Sequence, residues 1–356
     1  MKNLILKLNI AGYGICLLLI LCMIACNSQD DENNLSERMD LHLGISCLPS
    51  SLQTYGIPGT GDENTIDNLR VLVFDQNSGA LEENRHYGTM ADPMPAMPAN
   101  LNYSLHIGAK RILVIGNEPA ALTAALDGLT DFSGLQALTM GDETTINDLP
   151  LRLPFCTTKD IILNPSALPA NMHIILQRSV GKLQVRIAKD PDNLRTVNLV
   201  DIQLMNVPKN SRLIDGYPLT TPALANLPVQ AIGINNMGNI PTSLSIDKPY
   251  VFENFGSTAP SKTLLRVRLT QDGIPMTGDV FLICGTDQAN NYIEGVRRNT
   301  VSNMTLTVWG EHLKVTYSIS DWDDENPWDK EAGKDDSNMI FLPWDDENPW
   351  DWDLPA

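Results

Sequence analysis

Few residues in this chain are placed to do chemistry. The five histidines, His42, His86, His106, His173 and His312, stand far apart, and no pair has metal-ligand spacing. There is no Gly-x-Ser-x-Gly elbow, no His-Glu-x-x-His and no phosphate loop. A Gly-x-x-Gly-x-Gly run, Gly56 to Gly61, does not lead from a strand into a helix as a dinucleotide fingerprint would. Cys47, Cys156 and Cys284 have no Cys-x-x-Cys partner and read as small buried hydrophobes, with no more than one disulfide among them. In the tail, Asp321, Asp323 and Glu325 alternate as calcium ligands do. The turn glycine and distal bidentate glutamate of a helix-loop-helix site are missing, however. These absences lead us to expect a protein that is not an enzyme and holds no metal or cofactor.

Charge narrows the field further. The net charge is -18, and residues 321–356 alone carry 13 Asp/Glu against two Lys. Phosphate binding needs a basic face, so nucleic acid is excluded as a partner.

The one residue with a definite chemical role is Cys26. Lys2 and Lys7 precede an apolar run from Ile10 to Ala25, the pattern of an export signal. That run is shorter than the roughly 20 residues a membrane span needs. Met23-Ile24-Ala25-Cys26 resembles a bacterial lipobox, with Met23 where leucine is more usual. The resemblance implies cleavage between Ala25 and Cys26 and acylation of Cys26. Two or more acyl chains anchor stably, at about 0.8 kcal/mol per buried methylene. Residues 1–25 are thus read as a signal peptide and 26–38 as a polar, acidic tether. "NSQDDENN" after Cys26 is similar to the Ser/Gln-plus-acid signals of Bacteroides-type lipoproteins exposed on the outer membrane.

Beyond the tether the chain reads as strand after strand. Leu41, Leu43, Ile45 and Cys47 alternate with His42, Gly44 and Ser46, which predicts a first strand over Met39 to Leu48 with the former set buried. "TIDNLRVLVFD", "LNYSLHIG" and "KRILVIGNE" predict three more. Leu122, Leu126 and Leu129 have helical spacing. Gly128 and Gly134 divide that stretch into two short helices, the second capped by Asp131 or Ser133. "NMHIILQRSVGKLQVRIA" predicts one long strand with a bend or bulge at Gly181. Beyond Asp190-Pro191 five further strands are expected, with a loop-rich region from Pro208 to Asp247. The fold class is mainly β: two tandem β-sandwich domains, 39–190 and 191–321, with short helices.

Residues 322–356 form an acidic tail in which "WDDENPWD" occurs twice, at Trp322 to Asp329 and Trp344 to Asp351. Five of the six tryptophans lie there, and Pro327, Pro343 and Pro349 exclude a long helix. Tryptophan is enriched at interface hot spots, so the tail is a candidate donor segment. Met339, Ile340, Phe341 and Leu342 are its inserted part, with Trp344 and Trp350 beside them.

The order of these features is similar to the fimbrillin family of Bacteroides-type (type V) fimbriae: a lipobox, a strand, a loop, "TIDNLRVLVFD", "RILVIGNEP", "VGKLQV", "YVFEN", "RRN" and a last strand ending in Trp. The resemblance runs to about Trp322. It implies transthyretin-like β-sandwich domains in a lipoprotein subunit of surface fimbriae. It also implies assembly by strand donation: in shaft subunits a trypsin-like cut after the first strand frees it, and another subunit's C-terminal strand fills the groove. This sequence departs there, with no Arg or Lys between Arg38 and Arg70. A subunit that keeps its first strand and its lipid fits an anchor better than a shaft. The implied partners are other fimbrial subunits, outer-membrane lipid through Cys26, and host or bacterial surface ligands. The rival reading is an unpolymerised surface lipoprotein that binds glycan or another ligand.

Overall fold

The computed structural model describes residues 37–47, 61–141, 152–164, 170–214, 223–247, 249–255, 262–286, 292–321 and 339–343. The architecture is mainly β. The N-terminal part contains β1 (Arg38–Ser46), β2 (Leu69–Asp75), β3 (Leu81–Tyr87), β4 (Ala99–His106), β5 (Gly108–Gly116), helices α1 (Ala120–Asp127) and α2 (Phe132–Ala137), β6 (Phe155–Leu163) and β7 (Ala170–Ile175). Two sheets result, ordered β4-β1-β7 and β3-β2-β5-β6. β2 is buried from Leu69 to Phe74, which explains the apolar run Val71 to Phe74. One of its faces meets the helices: Phe74 packs edge-on against Phe132, with ring centroids 5.4 Å apart. Leu122, Leu126 and Leu135 are buried in the same core. Of the two caps the sequence allows for α2, Asp131 is used; its Oδ1 accepts from the Gly134 N–H at 3.0 Å.

The C-terminal part contains β8 (Val180–Lys189), β9 (Val197–Met205), β10 (Gln230–Ile234), β11 (Thr242–Leu244), β12 (Tyr250–Phe252), β13 (Leu264–Gln271), β14 (Ile274–Phe281), β15 (Thr300–Trp309), β16 (His312–Asp321) and β17 (Met339–Pro343). Its main sheets run β10-β9-β13-β14 and β11-β8-β15-β16-β17, with β12 also pairing β8. Alternation in β15 and β16 puts Met304, Leu306, Val308, Leu313 and Val315 in the core.

Three local expectations change. The strand expected from Thr65 begins at Leu69, because the Asn117 amide holds the preceding residues out of the sheet: it donates to Thr65 O (2.7 Å) and accepts from Asp67 N–H (2.8 Å). The long strand over 171–188 is two strands in different sheets, with the change of sheet between Ile175 and Val180. Gly181 marks no bend. It lies inside β8, where an added Cβ would meet Val296 Cγ1 and come 2.6 Å from Arg297 O. The interior glycine reflects close approach of another backbone.

Candidate functional site

The feature with the clearest functional content is β1 in its slot. It pairs antiparallel with β4 from Arg38↔His106 to Ile45↔Ala99, and parallel with β7 from Leu41↔Ala170 to Ser46↔Ile175. A parallel neighbour cannot be reached by a hairpin, so β7 arrives from far along the chain. Leu41, Leu43 and Ile45 are 0%, 1% and 0% exposed. Burying three such side chains is worth on the order of 5–9 kcal/mol, an upper estimate because the unfolded chain already buries some apolar surface. Cys47, expected on the same face, lies one residue beyond the strand and is half-buried, its thiol 3.6 Å from Asn64 O.

The slot is lined by β4 residues Leu101, Tyr103 and Leu105 and by β7 residue Ile174, all buried. Tyr103 sits opposite Leu41, and its hydroxyl meets that of Tyr87 at 2.9 Å. Burial pushes the Tyr103 phenol well above its ordinary pKa, and the bond to Tyr87 adds to this, so the ring stays neutral. The outer face of the same sheet is polar: His42 Nδ1 meets Asn102 Oδ1 at 2.5 Å, and His173 Nε2 meets Ser46 Oγ at 3.2 Å. One side of β1 is therefore core and the other is surface, which specifies its register.

The two basic residues that bracket this region are both engaged. Arg38 is the first residue of β1, and its Nη2 and Nε donate to Ser104 O at 2.6 and 3.2 Å. Arg70 is 1% exposed inside β2. Its guanidinium pairs with Glu118 (2.5 Å) and Asp127 (2.8 Å) and donates to Asn84 Oδ1 (2.7 Å). Burial alone would lower the Arg70 pKa, but the bonds to Glu118 and Asp127 outweigh it and raise it. The backbone at Arg70 is buried and paired on both sides, so it is not free to enter a protease's cleft, and a cut at Arg38 would leave β1 attached to the rest of the chain.

Met339 to Leu342 form a strand as expected, but on this chain's own sheet. β17 runs antiparallel to β16, from Thr316↔Met339 to His312↔Pro343. It is the edge strand there and covers only the first half of β16. Ala25, Cys26, Trp344, Trp350 and the "WDDENPWD" copies lie outside the described residues.

Sequence reasoning reached the alternation of β1 and the short apolar run of the tail. It missed Glu118, whose carboxylate neutralises Arg70, because nothing in "GNEP" signals burial beside a residue 48 positions away. Among the described residues, no group of three or more His, Cys, Asp or Glu is arranged to hold a metal ion. No described helix is long and apolar enough to cross a membrane.

Comparison with known proteins places these features. Residues 49–157 match the family model for the major fimbrial subunit protein (FimA). The chain is 27% identical over 326 residues to the major fimbrium subunit FimC of Porphyromonas gingivalis, spanning 87% of this chain and 69% of that one. Its fold is shared with a protein assigned to cell adhesion from Parabacteroides distasonis (TM-score 0.56, 18% identity, 80% of this chain and 97% of the other). It is also shared with the C-terminally truncated tip fimbrial protein Mfa3 of P. gingivalis (TM-score 0.51, 18% identity, 80% and 100%).

Proposed function

We propose that this chain, a relative of the fimbrial structural subunits, is an anchor-type subunit that keeps its first strand. In this reading Cys26 carries lipid and ties the protein to the outer membrane, exposed at the cell surface. β1 completes the N-terminal sheet permanently, so no donor strand enters there. The role is structural rather than enzymatic. The observation that carries the reading is the seating of β1 with no Arg or Lys between Arg38 and Arg70, both of which are held by partners. Mass spectrometry of the mature protein on cells tests it. A lipidated N-terminus at Cys26 is the expected result. A mature start between residues 49 and 64 would mean that β1 is removed, and the chain would then be a shaft subunit.

The tail is the proposed donor. Its apolar strand, Met339–Pro343, already has extended geometry and lies at a sheet edge, so handing it to another subunit exchanges one pairing for another. Ending the chain after Asp321 should leave a folded monomer that does not join fimbriae. Normal incorporation of the truncated protein would show that the tail is not the donor. Adhesion to host or bacterial surfaces would result from membership of the fimbrium.

A further inference from the structure

A turn that follows β1 in the sequence is fastened to the other half of the molecule. This short turn, Gly61–Asn64, precedes β2; its Glu63 side chain crosses to the C-terminal sheet and its Asn64 side chain to the link between β7 and β8. Glu63 is 3% exposed, an unusual position for a carboxylate. Its Oε1 accepts from Lys182 Nζ of β8 at 2.7 Å and from the Tyr250 hydroxyl of β12 at 2.5 Å. Asn64 Oδ1 accepts from the Arg178 guanidinium, and Asn64 O accepts from the Cys47 thiol at 3.6 Å, one residue beyond β1. Arg178 lies in the link between β7 and β8. Its backbone N–H donates to Asn299 Oδ1 at 3.1 Å, and its guanidinium sits 5.4 Å from the centre of the Phe155 ring. A second route reaches the same link, because the Leu176 N–H donates to Ser46 O at 2.8 Å. Two paths from the end of β1 therefore converge on residues 176–178.

A buried carboxylate costs several kcal/mol in lost hydration unless it is well paired. An ordinary connection would leave Glu63 in water. Here the charge is carried inside and met at Oε1 by groups of the C-terminal sheet, while the buried Oε2 has no hydrogen-bond partner among the described residues.

We infer that the Gly61–Asn64 turn is a clasp that couples occupancy of the first-strand slot to the C-terminal sheet, with Glu63 as its positioning residue. β1 leaves its slot by breaking the Cys47–Asn64 and Ser46–Leu176 bonds, whose partners the Glu63 contacts to Lys182 and Tyr250 hold in place. Loss of β1 in turn loosens β8 and β12 at their paired ends, Val180↔Phe252 to Lys182↔Tyr250. The coupling is reciprocal, as any linkage of two sites must be. The inference rests on the proposed retention of β1, whose removal the clasp would resist.

Hydrogen exchange on the purified full chain tests it. Glu63→Gln should speed exchange of β1 amides by about tenfold together with residues 180–182 and 250–252, while β2 and β5 stay protected. Tyr250→Phe, which deletes one hydroxyl, should give the same pattern more weakly, and it carries the test if the Glu63 variant does not fold. Combined with Leu43→Ala, which loosens β1 directly, Glu63→Gln should add little. Faster exchange confined to 61–64, a uniform rise across the molecule, or full additivity with Leu43→Ala would each overturn the clasp. Because exchange is read on a chain that still has β1, its outcome is independent of the mature N-terminus found on cells.

Discussion

Leu43→Ala probes the seating of β1 directly. Leu43 is 1% exposed at the middle of the strand, opposite Leu101 on β4 and Met172 on β7. Leu43 is paired on both sides, within a strand whose own backbone is held by both neighbours, so the site does not collapse fully onto the missing atoms. Large-to-small changes of this kind cost about 2–5 kcal/mol, the transfer of the lost groups plus the cavity left behind. A value of about 3 kcal/mol is expected, since the cavity is bounded by a three-stranded sheet rather than by mobile loops. At about 1.4 kcal/mol per factor of ten, local opening of β1 becomes roughly a hundredfold more frequent. Urea unfolding reads the global cost, and hydrogen exchange reads the local one at residues 38–46. Asp40→Ala is the control: the same strand, an exposed side chain, and a cost within about 0.5 kcal/mol. If Leu43→Ala and Asp40→Ala cost the same, β1 is not packed as a core strand and the argument for its retention falls.

The buried charges give two further expected outcomes. Arg70→Ala strands Glu118 without a partner and should cost about 3–5 kcal/mol in chemical denaturation, whereas Arg70→Met combined with Glu118→Gln should recover most of it. Asp75 is held down to about 2 from 3.8, first by the Ser78 backbone N–H and then by Lys110, against an opposing effect of burial. A depressed carboxylate stabilises above its unfolded pKa, so this contribution is full above about pH 5 and is lost as pH falls toward 2. With a side chain 28% exposed, its worth is about 1–2 kcal/mol after solvent screening. Asp75→Asn should therefore be less stable than the parent at about pH 6 and equal to it near pH 2 by thermal unfolding.

The repeating apolar–polar pattern was enough to reveal strands as a class. Period-2 alternation located Leu41, Leu43 and Ile45, and a short apolar run inside an acidic tail singled out Met339 to Leu342. The two short helices were equally legible, as was a cap at Asp131 or Ser133, of which the structure uses Asp131, because capping and helical spacing act within a few residues. The lipobox reading of Cys26 and the gap in basic residues between Arg38 and Arg70 are properties of the linear chain. They lead to the anchor proposal without any fold.

Pairing was not legible. Alternation says which side of a strand is apolar but not which strand lies beside it, because backbone hydrogen bonds are the same for every neighbour. Only the tertiary structure decided that β1 pairs with β7, from about 130 residues away, in a parallel register. The same holds for the run at 171–188: each half is a good strand by pattern, and the split between two sheets comes from what Arg178 and Asn299 hold at the link. The tail's apolar run likewise left open whether it would pair at home or elsewhere, and in the isolated chain it returns to β16. Charge burial is the sharpest case. In the sequence Arg70, Glu118 and Glu63 are ordinary polar residues. Only folding removes them from water, and once water is gone each must find an opposite charge or a hydrogen-bond partner that local sequence does not name.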